Sequence, residues 1–156
     1  MNTHLDKKGR LIIKIFIYGK AHINKKNIWD KFNFFIYKIL NAIFVIGLFN
    51  TEIKASKSIS NDLLLYHPYG IVINPNSTIK ENVIIRQQVT IGNKGEKEKD
   101  GCPTIGKNVE IGAEAKIIGP IAIGDNSIIG ANAVVTKSFP NNSIIVGVPG
   151  KNIAKN

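Results

Sequence analysis

The sequence predicts a mainly β chain: a coil of short parallel strands preceded by a short α-helical segment. Two observations carry this. Beyond residue 50, aliphatic side chains recur at a strict period of six, which suits neither a helix nor an alternating hairpin sheet. Before residue 50, apolar residues stand three and four apart, as on a helix face.

The first element is the basic segment, residues 1–50. Ile28, Trp29, Phe32, Phe35, Ile36, Ile39, Leu40 and Ile43 share helical spacing, predicting one or two helices that cap the first coil. The segment holds nine Lys or Arg against two Asp or Glu, a net of +7; residues 51–156 hold twelve against nine, a net of +3. A basic leader suits anionic lipid, nucleic acid or an acidic polymer. The abundance of Lys, Asn and Ile throughout is the plainer account. The run FFIYKILNAIFVIGLF (34–49) is 16 residues long and holds Lys38 and Asn41. A bilayer span needs roughly 20 apolar residues, so the run reads as an amphipathic or buried helix, with a membrane surface as the second reading. Nothing resembles a cleaved leader: LIIKIFIY (11–18) contains Lys14 and no small-residue cleavage site follows it.

The second element, residues 51–156, carries the repeat. Ile105, Ile111, Ile117, Ile123, Ile129 and Val135 keep the period, and Gly106, Gly112, Gly124 and Gly130 follow four of them. Four positions after the aliphatic stand Val109, Ala115, Ile121, Ser127 and Ala133. The register runs backward through Ile91, Ile85, Ile79 and Ile73, then Leu65, Ile59 and Ile53. Each repeat points one aliphatic inward, and glycine or asparagine turns the corner where backbone angles are unusual. Stability then builds by stacking on neighbours. The period breaks twice. The step from Leu65 to Ile73 is eight, and the step from Ile91 to Ile105 is fourteen, so a loop at about 93–104 bulges out. Breaks in such a coil mark loops on the binding face.

The single Cys102 excludes an intrachain disulfide and points to a reducing, cytoplasmic compartment. Three histidines at 4, 22 and 67 match no metal-ligand spacing, so no metal is expected. The repeats carry no interleaved aromatic platform, which excludes a nucleic-acid role. The string GCPTIGKN (101–108) nearly spells a phosphate loop, but Asn108 stands where Ser or Thr is needed. His22 reads as a packed or surface histidine. His67, in LYHPYGIVIN (65–74), sits where the coil gains two residues and so leaves the inward pattern.

The repeat, YHPYGIVIN and the stretch DGCPTIGKNVEIGAEAKIIGPIAIGDNSIIGANAVVTKSFP resemble the hexapeptide-repeat acyltransferases, in their serine acetyltransferase branch. Within it they are similar to the polysaccharide O-acetyltransferases of the colanic-acid type. The resemblance covers about residues 50–153 and implies a left-handed parallel β-helix with three hexapeptides per coil. It further implies acetyl-CoA as donor, a hydroxyl acceptor, and a homotrimer with active sites between adjacent subunits. His67 falls on the family's general-base histidine. Glu52, fifteen residues earlier and about one coil below, falls on the aspartate that orients that base. By position Gly92, Ala113 and Ala131 fall on the CoA-binding backbone. Lys137 and Lys151 are candidates for the CoA phosphates, or ordinary surface lysines. Arg86 could meet an acidic sugar.

Three departures bear on the acceptor. Tyr66 replaces the aspartate before the base, Gly101-Cys102-Pro103 replaces an Arg-His-Pro that helps hold the serine carboxylate, and the helical domain is shortened. They favour a sugar hydroxyl of a surface polysaccharide or its precursor over serine. Cys102 borders that acceptor; no second histidine is at hand to activate it as a nucleophile. Serine O-acetylation, acetylation of a small xenobiotic, and a non-enzymatic scaffold remain the alternatives. Residues 1–50 are read as a cap, with contact to the inner face of a membrane left open.

Overall fold

The computed structural model describes residues 6–95 and 101–154. Helix α1 (Lys7–His22) starts at Asp6, whose Oδ1 accepts the Lys8 N–H at 2.9 Å. Its buried stripe of Gly9, Ile12, Ile15, Phe16 and Gly19 follows the helical period. Helix α2 (Ile28–Leu40) is capped by Asn27, whose Oδ1 accepts the Trp29 N–H at 2.9 Å, and widens into π-type turns over Asn41–Leu48. The helices sit on the open end of the coil. Gly9 lies where a side chain would strike the Leu65 carbonyl, and the Tyr37 hydroxyl accepts the Ala55 N–H at 2.7 Å.

Fourteen short strands follow. They are β1 (Glu52–Ile53), β2 (Leu64–Leu65), β3 (Val72–Ile73), β4 (Thr78–Ile79), β5 (Ile84–Ile85), β6 (Thr90–Gly92) and β7 (Thr104–Ile105). Then come β8 (Glu110–Ile111), β9 (Lys116–Ile118), β10 (Ala122–Ile123), β11 (Ile128–Ile129), β12 (Val134–Val135), β13 (Ile144–Val146) and β14 (Lys151–Asn152). They stack as three sheets: a first in the order β1-β3-β6-β9-β12, a second of β4-β7-β10, and a third of β2-β5-β8-β11-β13-β14. Every pairing is parallel except β13 with β14. Lone parallel bridges, Ile59 to Ile79 and Ile123 to Phe139, extend the second sheet at both ends.

The pairing register reads out the repeat. On the first sheet Glu52 faces Val72, Val72 faces Thr90, Thr90 faces Lys116 and Lys116 faces Val134, steps of 20, 18, 26 and 18. Two coils are therefore three hexapeptides long, and the other two exceed that by the two and eight residues expected from the breaks. The last coil, Ile128 to Ile144, is two residues short, a contraction the period does not reveal because it lies past Val135. The thirteen aliphatics of the register, from Ile53 to Val135, are each no more than 2% exposed. Each such side chain contributes about 1.5–3 kcal/mol.

At the corners asparagine takes the expected role and the glycines after the aliphatics do not. The left-handed backbone conformation falls on Asn82, Gln88, Asn108, Glu114, Asn126 and Asn132, three positions after Ile79, Ile85, Ile105, Ile111, Ile123 and Ile129. Asparagine tolerates it because its short amide bonds locally, and Asn82, Asn108 and Asn126 also form a side-chain ladder. Gly106, Gly112 and Gly124, each right after an aliphatic, serve close approach instead. A Cβ on Gly112 would lie 2.5 Å from the Ala131 nitrogen of the next coil.

Candidate active site

The coil has three edges, and the one joining the third sheet to the first carries half of the ten candidate residues. Its lowest corner, Tyr66 to Ile71, takes the two extra residues. His67 adopts φ 50° and Gly70 φ 64°, the Tyr69 N–H bonds back to the His67 carbonyl at 2.6 Å, and Thr51 Oγ1 donates to the Pro68 carbonyl at 2.7 Å. The corner is thus pinned from below, and the His67 side chain stands 72% exposed.

The N-terminus of α1 abuts this corner. Asp6 Oδ2 accepts the His67 backbone N–H at 2.9 Å and lies 3.8 Å from His67 Nδ1. Burial pushes the Asp6 carboxyl up. The N–H groups of Lys8 and His67, with the positive charges of protonated His67 and Lys8, outweigh that and hold it below the ordinary carboxylate range. Lys8 Nζ bonds the Tyr69 hydroxyl at 2.5 Å.

Higher on the same edge, the Arg86 guanidinium lies 5.8 Å from the Tyr66 ring centroid and its Nη2 is 2.8 Å from Glu110 Oε1. An acidic sugar at Arg86 would therefore compete with Glu110. The edge then passes through Gln87, whose carbonyl accepts the Glu114 N–H at 2.9 Å, to Ala113, whose carbonyl accepts the Asn132 N–H at 2.9 Å. His67, Tyr66, Arg86, Ala113 and Ala131 thus line one edge, a juxtaposition set by the coil step.

Glu52 stands outward on β1, on the first sheet. It lines a cleft of about 300 Å³ with Lys54, Asn74, Gly92 and Asn93, so Glu52 and Gly92 are brought together. Among the described residues no ion pair joins Glu52 to His67; the carboxylate within 4 Å of the ring is Asp6. Cys102 lies at the next edge, between first and second sheets, as a free, half-buried thiol beside Gly101, which packs on Pro120. Residues 96–100 of the inserted loop fall outside the described residues. Lys137 Nζ sits 5.5 Å above the Phe139 ring, whereas Lys151 is exposed on β14 of the third sheet. Within one chain these two lysines stand on different sides of the coil.

The sequence reading missed Asp6, Glu110 and Lys116, whose Nζ bonds the Gln88 carbonyl at 2.5 Å. Only Asp6 left a signal, as a helix N-cap. Among the described residues no three His, Cys, Asp or Glu side chains converge as a metal site.

Stacked hexapeptides on three parallel sheets, with an outward histidine at a displaced corner, define the class. Residues 102–137 match the family model for the bacterial transferase hexapeptide (six repeats). Serine acetyltransferase of Staphylococcus aureus strain Mu50 is 43% identical over 116 residues, which is 73% of this chain and 54% of that protein. The putative colanic acid biosynthesis acetyltransferase WcaB of Escherichia coli strain K12 is 38% identical over 141 residues, 85% of this chain and 84% of that one. The crystal structure of serine acetyltransferase in complex with coenzyme A from Brucella abortus superposes with a TM-score of 0.79 at 32% identity, covering 95% of this chain and 56% of that chain. The chain belongs to the hexapeptide-repeat transferases. It spans about half the length of the serine acetyltransferases it matches, and most of the colanic acid relative.

Proposed function

We propose that the chain is an acetyl-CoA-dependent O-acetyltransferase acting on a sugar hydroxyl of a surface polysaccharide or its precursor, with His67 as general base. The observation that carries the reading is the outward His67 at the one corner where the coil gains two residues. An alcohol attacks a thioester poorly while protonated. A neutral imidazole within hydrogen-bond reach takes that proton as the carbon–oxygen bond forms, typically worth about 10²–10⁴-fold. The acetyl–sulfur bond then breaks and His67 returns the proton to the departing sulfur. Acetyl-CoA supplies the activated acyl group. The small side chains of Ala113 and Ala131 leave the edge backbone open to it, and a Cβ on Gly92 would meet only Asn74, at 3.8 Å. Lys137 and Lys151 are the candidates for its phosphates, Tyr66, Arg86 and Cys102 for the acceptor. Glu52 is the orienting carboxylate by resemblance, and Asp6 by proximity.

The left hand of the coil, the division into residues 1–50 and 51–156, the homotrimer and a cytoplasmic site belong to the same proposal. Alignment over most of the colanic acid relative supports a sugar acceptor. So do Tyr66 and Cys102, where a serine-binding motif has other residues. Serine O-acetylation is the second reading, favoured by the 43% identity to a serine acetyltransferase. The test follows release of the CoA thiol with glycan acceptors and with L-serine. Turnover with a glycan and none with serine is expected, and the reverse would move the assignment to serine. His67→Ala should abolish transfer while the fold persists; retained activity would remove His67 as base.

A further inference from the structure

We propose that the outward face of α2 and its π-type continuation is a docking surface for an anionic phospholipid bilayer. This stands apart from the acetyl-transfer reading. The helical run Ile28–Leu48 is 21 residues long and apolar enough to cross a membrane by length and composition, yet only 17% of its most apolar stretch is buried. The helix is inside out. Tyr37 and Asn41 face the rest of the chain, while Trp29, Phe32, Phe35, Ile39, Ile43 and Leu48 are exposed. A contiguous apolar face of this kind marks an interaction surface.

Charge decides what covers it. Lys25 and Lys26 precede the run and Lys31 and Lys38 lie within it, and Asp30 is its single acidic residue. Its acid, Asp30, is taken by His22 Nδ1 at 2.7 Å and Lys25 Nζ at 3.4 Å. Among the described residues Lys31 and Lys38 join no ion pair. Two copies packed face to face would crowd these lysines together, whereas anionic headgroups neutralise them. Their long stems can lie along the apolar stripe while the ammonium groups reach the headgroups. The helix lies on the bilayer rather than crossing it. Lys31 and Lys38 fall within the run, and the Tyr37 hydroxyl ties its other face to Ala55 at 2.7 Å.

Trp29 is the only tryptophan, so its emission reports the face. The full chain is mixed with vesicles of phosphatidylcholine alone, or of equal parts phosphatidylcholine and phosphatidylglycerol. With the mixed vesicles the chain should co-sediment and its emission should shift to the blue. With phosphatidylcholine alone, binding should be at least about tenfold weaker. The double variant Phe32→Ser, Phe35→Ser should lose binding with its circular dichroism unchanged, and Lys31→Glu, Lys38→Glu should weaken binding about tenfold or more. Absence of binding to both vesicles, or equal binding to both, would overturn the proposal. So would emission that is already blue in buffer and reddens on dilution, since a second copy would then cover the face.

Discussion

Asp6 holds two structures at once, capping α1 through one oxygen and the backbone of His67 through the other. Its carboxyl is held below the ordinary range, so its stabilising share is complete above the unfolded-state value and is lost as pH falls through the lower folded one. Asp6→Ala should cost about 1 kcal/mol at neutral pH, the usual worth of an N-cap, and flatten the acid end of the stability curve. Urea titrations from pH 7 to about pH 3 check this; an unchanged curve would mean the contact carries no energy. His67, the proposed base, was legible as a histidine at a break in the period. Its carboxylate neighbour was not, because Asp6 and His67 meet only when α1 docks on the coil, 61 residues away in the chain. The pairing of Arg86 with Glu110 was hidden for a similar reason. It depends on a 26-residue step, in which the length of the inserted loop sets which side chains become neighbours.

At the level of the repeat, strand and coil were readable almost position by position, since one buried aliphatic per hexapeptide is a strong signal. The different settings of Gly112 and Gly92 were not, because close approach depends on a residue of the next coil. They make opposite predictions. Gly112→Ala would force a Cβ to 2.5 Å from the Ala131 nitrogen and should destabilise by about 1–3 kcal/mol. Gly92→Ala meets nothing nearer than 3.8 Å and should leave the melting temperature close to that of the parent. A melting temperature unchanged by Gly112→Ala would mean the coils can slide apart to admit a methyl group.

For the whole molecule, His67 stands on the edge between the third and first sheets and Cys102 on the edge between the first and second. In the proposed homotrimer, an acceptor held between subunits would meet the His67 edge of one and the Cys102 edge of its neighbour. Sedimentation equilibrium should give three times the chain mass, and a monomer that still turns over would sink this arrangement. The last strand has a different bearing. β14 runs antiparallel on β13, reversing the direction that every other rung obeys. A parallel stack is open to polymerisation, because its final rung offers the same hydrogen-bonding template that each rung below it used. The reversed strand covers the outer edge of the third sheet, so a strand of another chain cannot extend that sheet in parallel register. Deleting residues 147–154 should uncover the outer edge of β13, and because α1 and α2 close the other end of the coil, copies should pair edge to edge through β13, seen as light scattering that grows with concentration. A truncated chain that stays dispersed would assign the stop to another part of the top coil.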